Sequence, residues 1–157
     1  RPSHASRKLV RADEVRRVVD LTRPDLLQFH GDEDPGFCAG FGVPYIKAVK
    51  IGAAPPGPDV LGYHALARGL LLDTHDPAAA GGTGRAFDWS LAPRGSARPI
   101  VLAGGLNALN VAQAIRQVRP YAVDVSSGVE AAPGIKDAAR VREFMRAVAV
   151  VNAAVRD

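Results

Sequence analysis

The sequence predicts an α/β fold built on a parallel sheet, and three observations carry that reading. Five short apolar runs punctuate the chain: Leu26–His30, Tyr45–Val49, Gly69–Asp73, Ile100–Ala103 and Tyr121–Val125. Their starts lie 19, 24, 31 and 21 residues apart, too far for hairpins and suited to the β–α crossovers that join parallel strands. The runs also lack strict polar alternation, as expected of strands buried on both faces.

The helices between them follow from apolar spacing and capping residues. A first helix is expected from about Ala12 to Leu21, presenting Val15, Val18 and Val19. The stretch AAPPGPD, from Ala53 to Asp59, reads as a rigid loop. Asn107 is placed to cap a helix whose Val111, Ile115 and Val118 fall at i, i+4 and i+7. Asp137 is placed to cap a terminal helix carrying Val141, Phe144, Met145 and Val148 on one stripe. No composition shift or long linker divides the chain, so residues 1–157 are read as a single β/α domain.

Composition narrows the function classes. Of 157 residues, 47% are apolar and 23% charged, the balance of a soluble globular domain and not of a disordered tail. There is no run of about 18 apolar residues, so no membrane-spanning helix is expected. The N-terminal RPSHASRKLVRADEV has charge but no apolar core, unlike a secretory signal. The single cysteine, Cys38, excludes an internal disulfide framework and fits a reducing cytoplasm. The net charge of +4 comes from scattered arginines without interleaved aromatics, so nucleic acid is not the expected partner. A small anionic substrate suits the same balance. No paired His or Cys spacing and no Walker motif signals a metal or an organic cofactor.

In parallel β/α proteins functional groups gather at the carboxyl ends of the strands. Four of the predicted strands end on such groups. The first closes on HGDE with His30 at the lip, and the third on Asp73. The fourth runs into AGGLN, where Gly104 and Gly105 allow backbone N–H groups close to a ligand. The fifth reads VDVSSGVE, with Asp124 inside the strand and Ser126, Ser127 and Gly128 just beyond. A Gly-Gly turn and a Ser-Ser-Gly turn on consecutive strands make a cradle of donors for a phosphate. Each group also has a plainer role. The glycines suit a tight turn, the serines a helix cap, Asp73 an Asx turn, His30 a rim position, and Asp32, Glu33 and Asp34 a solvated helix start. Their coincidence at one end of one sheet favours a site.

The stretches LLQFHGDE, LLLDTHDPAAAGGTGRAFDWSL, IVLAGGLNALNVAQAI and YAVDVSSGVEAAPGIKD resemble, in wording, order and spacing, the phosphoribosylanthranilate isomerases of tryptophan biosynthesis. The resemblance spans about Ala12 to Ala147. It implies a (β/α)8 barrel of which this chain covers about strands four to eight, with the glycine and serine loops after strands seven and eight. It implies an Amadori rearrangement of a phosphosugar–anthranilate substrate without metal or cofactor. Asp73 would be the general acid, Gly104, Gly105, Ser127 and Gly128 would bind phosphate, and His30 and Asp124 would face the substrate. To donate a proton near neutral pH, Asp73 would need a raised pKa, which burial at the strand end would supply. The loop from Gly81 to Gly84 would cover the site and exclude water.

The departures are equally specific. The family's general base is a cysteine in a KICG-like first strand, and this sequence contains no such motif. Cys38 follows HGDEDPGF and is expected outside the barrel, on a helix. Five strands of eight would leave two sheet edges and an apolar interior, so completion by an N-terminal segment or by homo-oligomerisation is expected. The alternative function is a catalytically inactive, phosphate-binding remnant that acts as a binding or assembly module.

Overall fold

In the computed structural model, which describes residues 11–56, 62–74, 86, 88–93 and 95–154, five strands pair in chain order and all in parallel. They are β1 (Leu27–Phe29), β2 (Tyr45–Ile51), β3 (Gly69–Thr74), β4 (Ile100–Leu102) and β5 (Ala122–Val123). Leu27 lies opposite Tyr45, Ile46 opposite Gly69, Leu70 opposite Ile100 and Val101 opposite Ala122. The parallel sheet expected from the strand spacing is therefore present, with different bounds. β2 continues two residues further, whereas β1, β4 and β5 are shorter than their apolar runs. Single ladder bonds still extend past the short strands: Tyr121 N–H donates to Ile100 O, Ala103 N–H to Leu72 O, and Asp124 N–H to Leu102 O, each at 2.8 Å. Asp124 thus follows β5 and does not lie inside it.

Burial on both faces holds for β3, whose first four residues are all buried. In β2 it does not: Tyr45, Lys47, Val49 and Ile51 are buried, while Ile46, Ala48 and Lys50 on the other face are not. The buried face is the one that the helices cover. Val49, Ile51, Leu70, Leu72, Leu102 and Leu106 pack there with Val111, Ala114 and Phe144. A second cluster joins Phe29, Cys38, Tyr45 and Ala67 to Val15, Phe37 and Phe41. The Phe29 ring centroid is 6.0 Å from those of Phe37 and Phe41 and 5.8 Å from that of Tyr45, distances typical of interacting aromatic pairs.

Helix α1 (Ala12–Thr22) ends one residue beyond the predicted bound, at a left-handed Arg23 whose N–H returns to Val19 O. Val15 and Val19 are half-buried, but Val18 is 53% exposed. Helix α2 (Pro35–Ala39) is short; Asp34 accepts from Phe37 N–H at 2.9 Å, and Pro35 occupies the first turn, where no donor is needed. Helix α3 (Val111–Val118) turns the expected Val111, Ile115 and Val118 inward and adds Ala114. Its N-cap is Asn110 rather than the predicted Asn107, because Asn107 Oδ1 is taken by Leu109 N–H in an Asx turn.

Helix α4 (Ala138–Ala154) starts as expected, with Asp137 accepting from Ala139 N–H at 2.7 Å and Arg140 N–H at 3.0 Å. Its inward stripe is Phe144, Ala147, Val148 and Val151, whereas Val141 and Met145 face outward. Apolar residues wrap much of this helix, so two stripes fit the helical period, and packing against α3 selects one. An antiparallel pair, β6 (Glu130–Ala132) and β7 (Ile135–Lys136), turns at a left-handed Gly134 and has no periodic signature in the sequence. The Pro133-Gly134 dipeptide was its local signal. Among the described residues no helix is long and apolar enough to cross a membrane.

Candidate active site

Gly104 after β4 and Gly128 after β5 stand where no side chain fits, and this welds three strand ends together. Asp73, the penultimate residue of β3, is half-buried, and its Oδ1 accepts from Thr74 N–H at 2.8 Å. Gly104 adopts φ +80°, and a Cβ there would stand 2.8 Å from Asp73 Oδ1 and closer still to Thr74 N and Oγ1. The β4–α3 loop therefore lies flush on the Asp73–Thr74 backbone. Gly105 follows at φ +64°, its carbonyl held by Asn110 Nδ2 at 2.9 Å. A Cβ on Gly128 would overlap the Leu106 carbonyl and reach 3.1 Å from Asn107 Cα, so the loop after β5 lies flush on the loop after β4. Asp73–Thr74 against Gly104, and Leu106–Asn107 against Gly128, link the carboxyl ends of β3, β4 and β5 by close contact.

Ser127 opens a 3-10 turn, Ser127–Val129, that is anchored by the buried Val129. Ser126 stands at the N-cap position of this turn, as a helix-cap role would require, but its side chain makes no capping hydrogen bond, and the turn leads into β6. Asp124 is exposed just beyond β5. His30 is exposed just beyond β1, at the same end of the sheet but separated from Asp73 by the whole width of β2. The structure thus brings Asp73, Gly104, Gly105, Ser127 and Gly128 together and leaves His30 at the margin. His75, Arg85 and the 81–84 glycine-rich stretch lie outside the described residues.

Glu33 corrects one expectation. It is not part of a solvated helix start: its Oε2 lies 3.4 Å from Lys47 Nζ, with side chains only 11% and 5% exposed respectively. Lys47 also donates to Gly31 O at 2.6 Å, and Glu33 Oε1 accepts from Gly31 N–H at 3.2 Å, so the pair braces the loop that carries His30. Cys38 lies on α2, fully buried against Phe29 and Tyr45. Burial, with the charge of Glu33 nearby, pushes its thiol up to about 11. That is the opposite of what a reactive thiolate needs.

A second missed group surrounds the serine loop. Lys136 on β7 pairs with Glu130 on β6 at 2.7 Å, and its hydrogen bond holds the Glu130 carboxyl below its ordinary range. The sequence signal was present as the spacing VE…PG-K-D, but the hairpin that gives the spacing its meaning is too short to be recognised by periodicity. Among the described residues no three His, Cys, Asp or Glu side chains gather as a metal site would require.

Residues 10–147 match the family model of N-(5'-phosphoribosyl)anthranilate (PRA) isomerase. A curated relative, N-(5'-phosphoribosyl)anthranilate isomerase of Pseudomonas putida, is 56% identical over 138 residues, covering 86% of this chain and 66% of that protein. The chain thus spans just under two thirds of that relative's length. Among solved structures, phosphoribosyl anthranilate isomerase from Thermus thermophilus superposes with a TM-score of 0.78 at 33% identity, covering 91% of this chain and 70% of the other. A phosphoribosyl anthranilate isomerase in complex with reduced 1-(o-carboxyphenylamino)-1-deoxyribulose 5-phosphate gives a TM-score of 0.70 at 35% identity, covering 88% and 66%. Because the matched residues run from residue 10 to residue 147 and take in every strand of the sheet, the chain belongs to the N-(5'-phosphoribosyl)anthranilate (PRA) isomerase family.

Proposed function

We propose that this chain supplies the acid and the phosphate cradle of a phosphoribosylanthranilate isomerase acting in tryptophan biosynthesis in the cytoplasm. Its five strands correspond to the fourth through eighth of a (β/α)8 barrel. The substrate is N-(5'-phosphoribosyl)anthranilate and the product 1-(2-carboxyphenylamino)-1-deoxyribulose 5-phosphate. The observation that carries the reading is the close contact of Gly104 with Asp73 and of Gly128 with Leu106 and Asn107. It sets an acid beside two loops whose backbone donors suit an anion.

The chemistry assigns the residues their roles. Asp73 gives a proton to the furanose ring oxygen as the C1′–O bond breaks and the anthranilate nitrogen forms a Schiff base with C1′. A base then removes the proton on C2′, giving an enolamine that tautomerises to the ketose. N–H groups of Gly104, Gly105, Ser127 and Gly128, with the Ser127 hydroxyl, hold the 5-phosphate, and His30 and Asp124 contact the rest of the substrate. Fixing the phosphate lets binding energy from a non-reacting group orient the reacting carbons.

The C2′ base is the cysteine that the family resemblance places on the first strand. Cys38 does not replace it, being buried beneath the sheet's helical face. That same observation favours the second reading, in which these 157 residues alone bind phosphate without turning substrate over. The test is rescue of a tryptophan auxotroph lacking this step. The chain is expressed alone and also joined to the first three β/α units of the Pseudomonas putida relative. Rescue by the joined protein supports the isomerase, and failure of both to rescue, with folded protein present, contradicts it.

A further inference from the structure

Lys136 and Glu130 take no part in the proposed reaction, yet they hold the loop on which phosphate binding depends. Lys136 Nζ donates to the Ser126 carbonyl at 2.9 Å, to Ser126 Oγ at 3.1 Å and to Glu130 Oε1 at 2.7 Å. The other Glu130 oxygen accepts from Gly134 N–H at 3.2 Å, tying the hairpin turn to the same carboxylate. Arg140 donates to the Glu130 carbonyl, and Asp137 N–H to Val129 O at 2.8 Å, fixing the hairpin to the start of α4. The opposite side of the loop is fixed by Gly128 against Leu106.

The Ser126 carbonyl and the Ser127 N–H belong to one planar peptide unit and point in opposite directions. A cation seated on that carbonyl fixes the plane, and so fixes where the Ser127 N–H points. It also offsets the negative end of a dipole that would otherwise repel an anion nearby. Glu130 in turn holds the lysine, whose flexible stem would otherwise sample many positions.

We propose that Lys136 and Glu130 are positioning residues, a clamp that sets the Ser126–Ser127 peptide so that the Ser127 N–H is presented to the phosphate, without either side chain touching it. The proposal rests on the phosphate-site reading above and names what keeps that site in shape. A simpler role for Lys136, as a positive charge that attracts phosphate, makes the opposite statement about Glu130. If charge alone matters, removing the Glu130 carboxylate tightens phosphate binding. If the clamp matters, removing it weakens binding.

The experiment is an amide NMR titration with inorganic phosphate of the chain joined to the first three β/α units of the Pseudomonas putida relative. In the unsubstituted protein the amides of Gly105, Ser127 and Gly128 shift on titration; no shift there overturns the phosphate site itself, and the clamp with it. Lys136→Met weakens binding about tenfold and Glu130→Gln by a similar factor, as expected for loss of a charge-assisted bond that positions a donor, whereas Lys136→Arg restores most of it. The dispersion of the same spectra reports folding, and if Lys136→Met unfolds, Glu130→Gln decides alone. Unchanged or tighter binding by folded Glu130→Gln overturns the clamp while leaving the phosphate site standing.

Discussion

Gly104 and Gly128 matter because of what stands against them. Gly104 combines a left-handed backbone with a neighbour, Asp73, that leaves no room for a methyl group. Gly104→Ala is therefore expected to lose about 1–3 kcal/mol of stability from backbone conformation alone, and more from the displaced Asp73–Thr74 backbone. Urea unfolding measures this, and an unchanged midpoint would show that the loop does not lie as described. Both glycines could be read from the sequence, because AGGL and SSGV are local motifs. Lys47 could not. It is a lone lysine in the apolar run YIKAV, and its partner Glu33 meets it only through the pairing of β1 with β2. Lys47→Met leaves Glu33 with little solvent and no cation, and is expected to cost about 3 kcal/mol, checked in the same unfolding assay.

Strand positions and the starts of α1 and α4 were legible at the scale of the element, because apolar runs and capping residues act locally, whereas the start of α3 was misplaced from Asn110 to Asn107. The Asp137 cap is where the sequence placed it, and its carboxyl is held below the ordinary value of 3.8 chiefly by the Arg140 N–H, then by that of Ala139. A carboxyl depressed on folding contributes stability that is present above its ordinary value and lost as pH falls through the lower folded-state value. Asp137→Ala is accordingly expected to lower the melting temperature by a few degrees near neutral pH, with the difference shrinking below pH 3.8. A difference independent of pH would contradict the cap. What could not be read was the choice between the two apolar stripes of α4, which depends on contact with α3. The β6–β7 hairpin was equally hidden, since strands of three and two residues show no period. Both choices are made by tertiary packing, to which local pattern is blind.

At the scale of the whole molecule the parallel sense of the sheet was legible from the crossover spacing, whereas the side-by-side chain order of its strands followed only from the barrel resemblance. In the described residues β1 and β5 each pair on one side only, and one face of β2 lacks the helical cover of the other. Unpaired parallel edges and an uncovered face favour association. The chain alone is expected to self-associate in sedimentation as concentration rises. Joined to the first three β/α units of the Pseudomonas putida relative, it should become monodisperse and melt at a higher temperature. A stable monomer at all concentrations, unaltered by the added units, would count against the barrel assignment.

The most direct test of the central claim is steady-state conversion of N-(5'-phosphoribosyl)anthranilate by that joined protein, with and without Asp73→Asn. Turnover by the unsubstituted protein is expected, with a fall of about a hundredfold or more in kcat for Asp73→Asn and the fold intact by circular dichroism. Turnover undiminished by Asp73→Asn would contradict the assignment of Asp73 as the acid at the end of β3.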